Sequence, residues 1–309
     1  MPQTAAVLPK TGGASLHAGN LAFLLQVSRP GLWTTTALFY LMPLGHGDFL
    51  HSGPFWLGLV YVLFPLGFLL YGVNDIADAH DDQFNPRKGT FLFGSRGASP
   101  QLKALRWQIA VVQIPFLAAF LILIGPRIVP WFAALLLAVA LYNAPGTRWK
   151  SRSPFDVLLQ SSYLLVFVLS SWLNHVPQLP WQTFLFGALF AMHSHVFGEV
   201  MDIAPDCLSG RATTATLIGP VRAKLLIAAI LCIESALIAI FFRDALAAIF
   251  LAVGVAWFIL DAGFVWKDRG YSTTEMRLFL WAWNAVAVLA MYRNWSTGGF
   301  TAIKHTIGI

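Results

Sequence analysis

The sequence predicts an all-α, polytopic membrane protein, and three observations carry that prediction. Charged residues make up only 11% of the 309, while 57% are hydrophobic; soluble domains carry roughly 25% charged residues. Mean hydropathy is +0.67. The apolar residues also gather into long runs separated by short polar stretches, and a helix needs roughly 20 apolar residues to cross a hydrocarbon core about 30 Å thick. No stretch between the runs is long enough for a second, soluble domain.

About nine such runs follow one another. They lie at 31–47, 55–75, 106–125, 128–143, 155–174, 181–201, 222–242, 245–265 and 275–293. The first and fourth are short and are expected to be tilted or partly interfacial. Residues 1–25 hold Lys10 among scattered Gly and Ser, lack the apolar core of a signal peptide, and read as a flexible start. Residues 26–295 form the transmembrane domain and 296–309 a short tail. Cys207 and Cys232 have no partner at metal-ligand spacing and read as packing residues.

The loops alternate in charge. One side carries Lys10, Arg29, the clusters from Arg87 to Arg106 and from Arg148 to Arg152, then Arg211, Arg222, Lys224, Lys267, Arg269 and Arg277. The other holds Arg127, Arg243, Arg293 and Lys304. That bias places the N-terminus and the basic loops in the cytoplasm of a multi-pass cell-membrane protein. Nine spans then put the C-terminus outside. The net charge of +6 is spread in short clusters between apolar runs, not along one face, so nucleic acid is not a partner; membrane lipid is.

Half of the 14 acidic residues sit in two clusters on the basic side. Asp75, Asp78, Asp81 and Asp82 follow the second run, in Tyr71-Gly-Val-Asn74-Asp75-Ile-Ala-Asp78-Ala-His-Asp81-Asp82; Glu199, Asp202 and Asp206 end the sixth. Carboxylates at membrane depth are costly, and they are normally functional or paired. Asp75, Asp78 and Asp82 stand at i, i+3 and i+7, and Asp202 and Asp206 at i and i+4. A continuing helix stacks each set on one face, although Pro205 could end the second helix early. Two facing acidic surfaces suit Mg2+, a hard ion bound through a few carboxylates, water and phosphate oxygens. The plainer alternative is that these acids simply pair with Arg87 and Lys88. Arg29, Arg148, Lys150 and Arg211 lie around the clusters, and acids for a divalent ion beside cations for phosphate describe a pyrophosphate clamp. Each of those cations would also be explained by the positive-inside bias alone.

The string Asn74-Asp75-x-x-Asp78-x-x-x-Asp82 resembles the first motif of the UbiA-type intramembrane prenyltransferases, and Asp202-x-x-x-Asp206 followed by Ser-Gly-Arg-Ala-Thr-Thr-Ala resembles the second. Ser28-Arg29-Pro30 and Tyr142…Arg148-x-Lys150 also stand where that family keeps conserved elements. The resemblance runs from about residue 25 to the end. It implies a nine-helix fold around a central cavity, in which Mg2+ on an isoprenyl pyrophosphate is held by Asn74, Asp75, Asp78 and Asp82 and by Asp202 and Asp206. Arg29, Arg148, Lys150 and Arg211 become pyrophosphate contacts, and a lipophilic acceptor is a polyene such as a carotenoid or an aromatic ring. One departure is Gly210, where many members have a further acid. Asn85-Pro-Arg87-Lys88-Gly-Thr and Asp202-Ile-Ala-Pro-Asp206 are most similar to the lycopene elongase branch.

Under that reading, charge on the leaving pyrophosphate is neutralised, the allylic C–O bond ionises, and the cation alkylates its acceptor. Asp78 or Asp202, or the released pyrophosphate, then takes the proton. A membrane terpene cyclase would share the ionising parts, and a cation-coupled transporter is the non-enzyme alternative. Glu234 and Asp261, inside spans, are read as interhelical hydrogen-bonding groups. His193 and His195 cannot share a helix face and either line an acceptor pocket or pack. His80 falls off the aspartate face.

Overall fold

The computed structural model describes residues 16–303; Lys10 and Lys304, named above, lie outside the described residues. Thirteen helices follow in order: α1 Leu16–Val27, α2 Trp33–Leu41, α3 Gly53–Leu63, α4 Pro65–Ala77, α5 Ser99–Ile124, α6 Ile128–Asn143, α7 Phe155–Leu158, α8 Leu165–Leu173, α9 Trp181–Ser209, α10 Thr214–Ile218, α11 Pro220–Leu237, α12 Ala245–Leu260 and α13 Thr273–Thr297. An isolated antiparallel bridge between Thr90 and Gly94 is the single strand-like pairing among the described residues.

Among the described residues six helical stretches are both long and apolar enough to cross a membrane: Gly53–Ala77, Pro100–Ile124, Phe155–Leu173, Trp181–Ser209, Pro220–Phe242 and Ala245–Val265. The expected nine are therefore not all reproduced, and each departure has a local cause. The run at 31–47 opens in the 3-10 turn Pro30–Leu32 and is cut by Pro43 in the turn Met42–Leu44, which leaves α2 nine residues long. The run at 128–143 is one 16-residue helix, about 24 Å at 1.5 Å per residue. The run at 275–293 lies in the 25-residue α13, which has the length but carries Arg277, Asn284 and Arg293 along its course.

Other expectations also shift. Residues 16–25, expected to be flexible, form most of α1, because Phe23 and Val27 bury against the core. Pro65 breaks the second run between α3 and α4, having no N–H and crowding the carbonyl one turn back. Pro205 does not end α9, which continues to Ser209. Cys207 and Cys232 are exposed, not packed.

α9 lies at the centre, contacting α11, α10, the 3-10 stretch Leu159–Leu164 and the turn Asp81–Phe84. α5 and α12 turn most of their surface outward, with Trp107, Ile122, Ile249 and Phe264 exposed. Outward apolar side chains of this kind suit a lipid environment. Polar groups inside the bundle are paired across helices, as read for Glu234 and Asp261. His193 Nδ1 lies 2.7 Å from Glu234 Oε1. Lys224 Nζ donates to Asp261 at 2.7 Å and to the Lys267 carbonyl at 2.9 Å, and the Tyr271 hydroxyl donates to the other Asp261 oxygen.

Candidate active site

Close backbone approaches bring the site together. A Cβ on Gly67 would stand 2.7 Å from the Ser28 carbonyl, so α4 packs directly on the chain entering α2. A Cβ on Gly31 would stand 2.5 Å from the Leu92 carbonyl, which docks the 85–95 loop on the same segment. Between these contacts Arg29 adopts a left-handed conformation and lays its guanidinium over the Tyr71 ring, 4.3 Å from the centroid.

The first acidic cluster leaves α4 at its end. The helix stops at Ala77, but the N–H of Asp78 bonds the Asn74 carbonyl and that of Asp82 the Asp78 carbonyl, both at 2.8 Å. The turn therefore keeps helical spacing while the carboxylates diverge. Asp75 is buried and accepts from Arg29 at 3.3 Å, Lys88 at 2.8 Å and Ser95. Lys88 also reaches Asp82 at 2.9 Å. Asp78, only 1% exposed, faces Lys150 at 2.6 Å, Arg211 at 3.6 Å and Arg148 at 3.7 Å. Lys150 is equally buried and also donates to Asn74 and Asn143.

The second cluster comes from the end of α9. Asp202 accepts from Asn85 at 2.9 Å and from Arg87, and Asp206 lies 3.4 Å from Arg211. Gly210, left-handed at φ 72°, reverses the chain after α9, and the Arg211 N–H caps the Asp206 carbonyl at 2.9 Å. A left-handed residue at a helix C-terminus favours glycine, which accounts for the missing acid at this position. Arg211 is thereby aimed at both clusters. Pairing of the acids with Arg87 and Lys88, the plainer alternative, is present and joins the two clusters.

A cavity of about 330 Å³ opens above these groups. Asn74, Asp78, Asp82, Asp202, Asp206, Arg29, Arg87, Lys88, Lys150 and Arg211 all reach its wall, and the rest mixes aliphatic and polar side chains with the rings of Phe39, Tyr71, Tyr163, Phe190, Phe197 and Trp283. Two predicted residues do not reach it. Asp75 lies behind the wall beside Ser95, reached there by Lys88, and Arg148, which is 41% exposed, is turned to Asp81 at 2.6 Å.

The model of the UbiA prenyltransferase family matches residues 31–295. The chain belongs to that family. It is 28% identical over 276 residues to a lycopene elongase/hydratase of Corynebacterium glutamicum, covering 85% of this chain and 92% of the relative. It is 30% identical to a lycopene elongase/hydratase of Halobacterium salinarum, over 71% of this chain and 79% of that protein. Its fold is similar to the structure of a UbiA homologue from Archaeoglobus fulgidus bound to DMAPP and Mg2+, with a TM-score of 0.62, 19% identity, and coverage of 89% of this chain and 99% of the other. This UbiA-family protein is thus a multi-pass membrane enzyme, a prenyltransferase of the lycopene elongase branch.

The floor of this prenyltransferase suits a divalent ion only together with a ligand. Among the described residues no group of three or more His, Cys, Asp or Glu is close enough to hold a metal by itself. Yet both oxygens of buried Asp78 lack a well-directed hydrogen bond, and the donors available are all hard oxygens. Such a set fits Mg2+, which keeps several waters and is usually completed by substrate phosphates. Burial would raise the Asp78 pKa, but Arg211 and Lys150 together hold it below the usual carboxylate range. Burial does raise Asp82, against the pull of Lys88.

Lys150 titrates at about 8 because burial disfavours its charge more than Asp78 supports it. Its unfolded value is 10.5, so between about pH 8 and 10.5 the unfolded chain holds the extra proton and stability from this group rises with pH. In EDTA, the unfolding midpoint of Lys150→Met relative to the wild type is expected to fall across that window. A constant difference from pH 7 to 10 would contradict this.

Sequence reasoning missed Asn85, Ser95 and the aromatic wall. Asn85 opened the noted Asn85-Pro-Arg87-Lys88 string but was given no role there; the aromatics resemble those of every span.

Proposed function

We propose that this protein transfers an isoprenyl group from an allylic pyrophosphate to a lipophilic acceptor, a polyene of the carotenoid type, with Mg2+ as cofactor. The observation that carries this reading is a single cavity with an acid-and-base floor beneath an aromatic chamber. On that floor carboxylates and cations are nearly balanced. A pyrophosphate accompanied by divalent ions is itself nearly neutral, so it enters without leaving a buried charge uncompensated. The names of the relatives support the acceptor, and the ligands of the structural neighbour support the donor and metal.

Asn74, Asp78, Asp82, Asp202 and Asp206 would hold the metal, with Asp75 fixing Arg29 and Lys88 behind them. Bound there, Mg2+ supplies Lewis acidity that stabilises charge on the leaving pyrophosphate. Arg29, Lys150 and Arg211 orient the phosphate oxygens, and Arg148 contributes from the rim through Asp81. The aromatic chamber excludes water and presents ring faces to the allylic cation. In this reading the acidic end and the N-terminus face the cytoplasm.

The test uses purified full-length protein in detergent, with labelled dimethylallyl, geranyl, farnesyl and geranylgeranyl pyrophosphates. Each is incubated with lycopene or without acceptor, in Mg2+ or EDTA. Mg2+-dependent label in a lengthened polyene is the expected result. Label converted without acceptor would replace the transferase with a cyclase, and no conversion of any donor would return the transporter to consideration.

A further inference from the structure

The two histidines of α9 have separated roles. His193 turns to α11 and pairs with Glu234, away from the cavity wall. His195 lines the cavity beside Glu199 and Tyr142. Its Nε2 lies 3.1 Å from Glu199 Oε1, and its ring centroid is 6.2 Å from that of Tyr142. Glu199 is 5% exposed. Its Oε2 accepts from the Ala215 N–H at 3.0 Å, while Oε1 makes no well-directed hydrogen bond. Behind it Asp156 is held by the Thr214 N–H and hydroxyl. A fixed, buried carboxylate therefore stands beside one nitrogen of an imidazole whose ring faces the chamber.

We propose that His195 is the proton acceptor of the transfer reaction, with Glu199 as its positioning residue. The inference rests on the prenyl-transfer reading above. The carboxylate beside Nε2 selects the tautomer protonated there and leaves the Nδ1 lone pair available. No hydrogen bond engages Nδ1 among the described residues. When Nδ1 takes a proton, the off-axis contact with Glu199 becomes an ion pair inside the bundle. The carboxylates first considered for this task are already committed, Asp78 to Lys150 and Arg211 and Asp202 to Arg87 and Asn85.

The step balances. The allylic C–O bond breaks with its electron pair leaving on pyrophosphate. A π pair of the polyene forms the new C–C bond and leaves a tertiary cation. The adjacent C–H bond breaks, its electron pair becomes a C=C bond, and the proton goes to Nδ1 of His195. Water then removes it from the imidazolium.

The experiment measures pyrophosphate release and alkene product in the same reaction, using the full chain, labelled dimethylallyl pyrophosphate, lycopene and Mg2+. For His195→Gln, pyrophosphate release is expected to stay within about threefold of the wild type. Alkene product should fall about a hundredfold, the low end of what a general base contributes, with the label recovered as alcohol. Glu199→Gln keeps the ring on the wall and should shift the same ratio in the same direction, by about tenfold. His80→Gln, at an 81% exposed side chain, should leave the ratio unchanged. An unchanged ratio in His195→Gln overturns the assignment, as does an equal fall in both readouts. A wild type whose own product is the alcohol overturns it too. Should His195→Gln fail to fold, an unaltered ratio in Glu199→Gln overturns it. A wild type that releases no pyrophosphate instead sinks the transfer reading, and the two failures are thereby told apart.

Discussion

Asp78→Asn is expected to lower prenyl transfer by about 10²–10³-fold, the range seen when one preorganised electrostatic partner of a reacting group is removed. Asp78 is the carboxylate on which Lys150, Arg211 and Arg148 converge, and both its oxygens are among the buried acceptors left without a directed hydrogen bond. An amide cannot offset those cations. Lys150 and Arg211 would then face the pyrophosphate with excess positive charge and no anchor, and the metal would lose a ligand. Asp81→Asn, which removes the outer partner of Arg148, should cost no more than a few-fold. The check is initial-rate turnover of labelled donor at saturating Mg2+, with thermal unfolding of each variant recorded alongside. Full turnover by Asp78→Asn would remove it from the metal set.

The largest effect on stability is expected away from the cavity, at Asp261. Lys224 and Asp261 are both fully buried, and the Asp261 oxygens are also the acceptor for Tyr271. Asp261→Asn leaves the ammonium of Lys224 inside the bundle without a counter-charge, with only neutral groups such as the Lys267 carbonyl and the Tyr271 ring beside it. Breaking a buried pair from one side costs roughly 3–5 kcal/mol. Denaturant-induced unfolding in detergent should show that loss. The double replacement Lys224→Met with Asp261→Leu should recover much of it, because no buried charge is then left unpaired and the Tyr271 hydroxyl is the one donor that loses its acceptor. A single variant as stable as the wild type would contradict the ion-pair account.

These two residues also mark what could be read in advance. The aspartate motifs were visible because their spacing is local: three to seven residues separate Asp75, Asp78 and Asp82, and helical periodicity connects them. Asp261 could be recognised as an interhelical group from its place in an apolar run, but Lys224, 37 residues away, could not be named as its partner. The same holds for Asn85 and Asp202, 117 residues apart, because only the packed bundle sets such distances. Apolar runs located the spanning stretches well. They failed at Pro43, which cuts the first run short, since hydropathy takes no account of a missing N–H. Tyr163 and Trp283 were indistinguishable from lipid-facing aromatics for a related reason: a ring contributes the same hydropathy whichever side of its helix faces the chamber.

The distribution of counter-charges bears on how the chain is made. Asp75 and Asp82 are neutralised by Arg29 and Lys88, all contributed by one early portion of the polypeptide, so that portion can settle at the membrane border as it leaves the ribosome. Asp78 depends on Lys150 and Arg211, which are synthesised much later. Until they arrive, a lone carboxylate stands at a depth where an unpaired charge is unfavourable. Lys150 meets that charge first, and Arg211 completes the set only when the α9 end is in place. The site is therefore complete only once α9 has joined the bundle, because Asp202, Asp206 and Arg211 all come from its end.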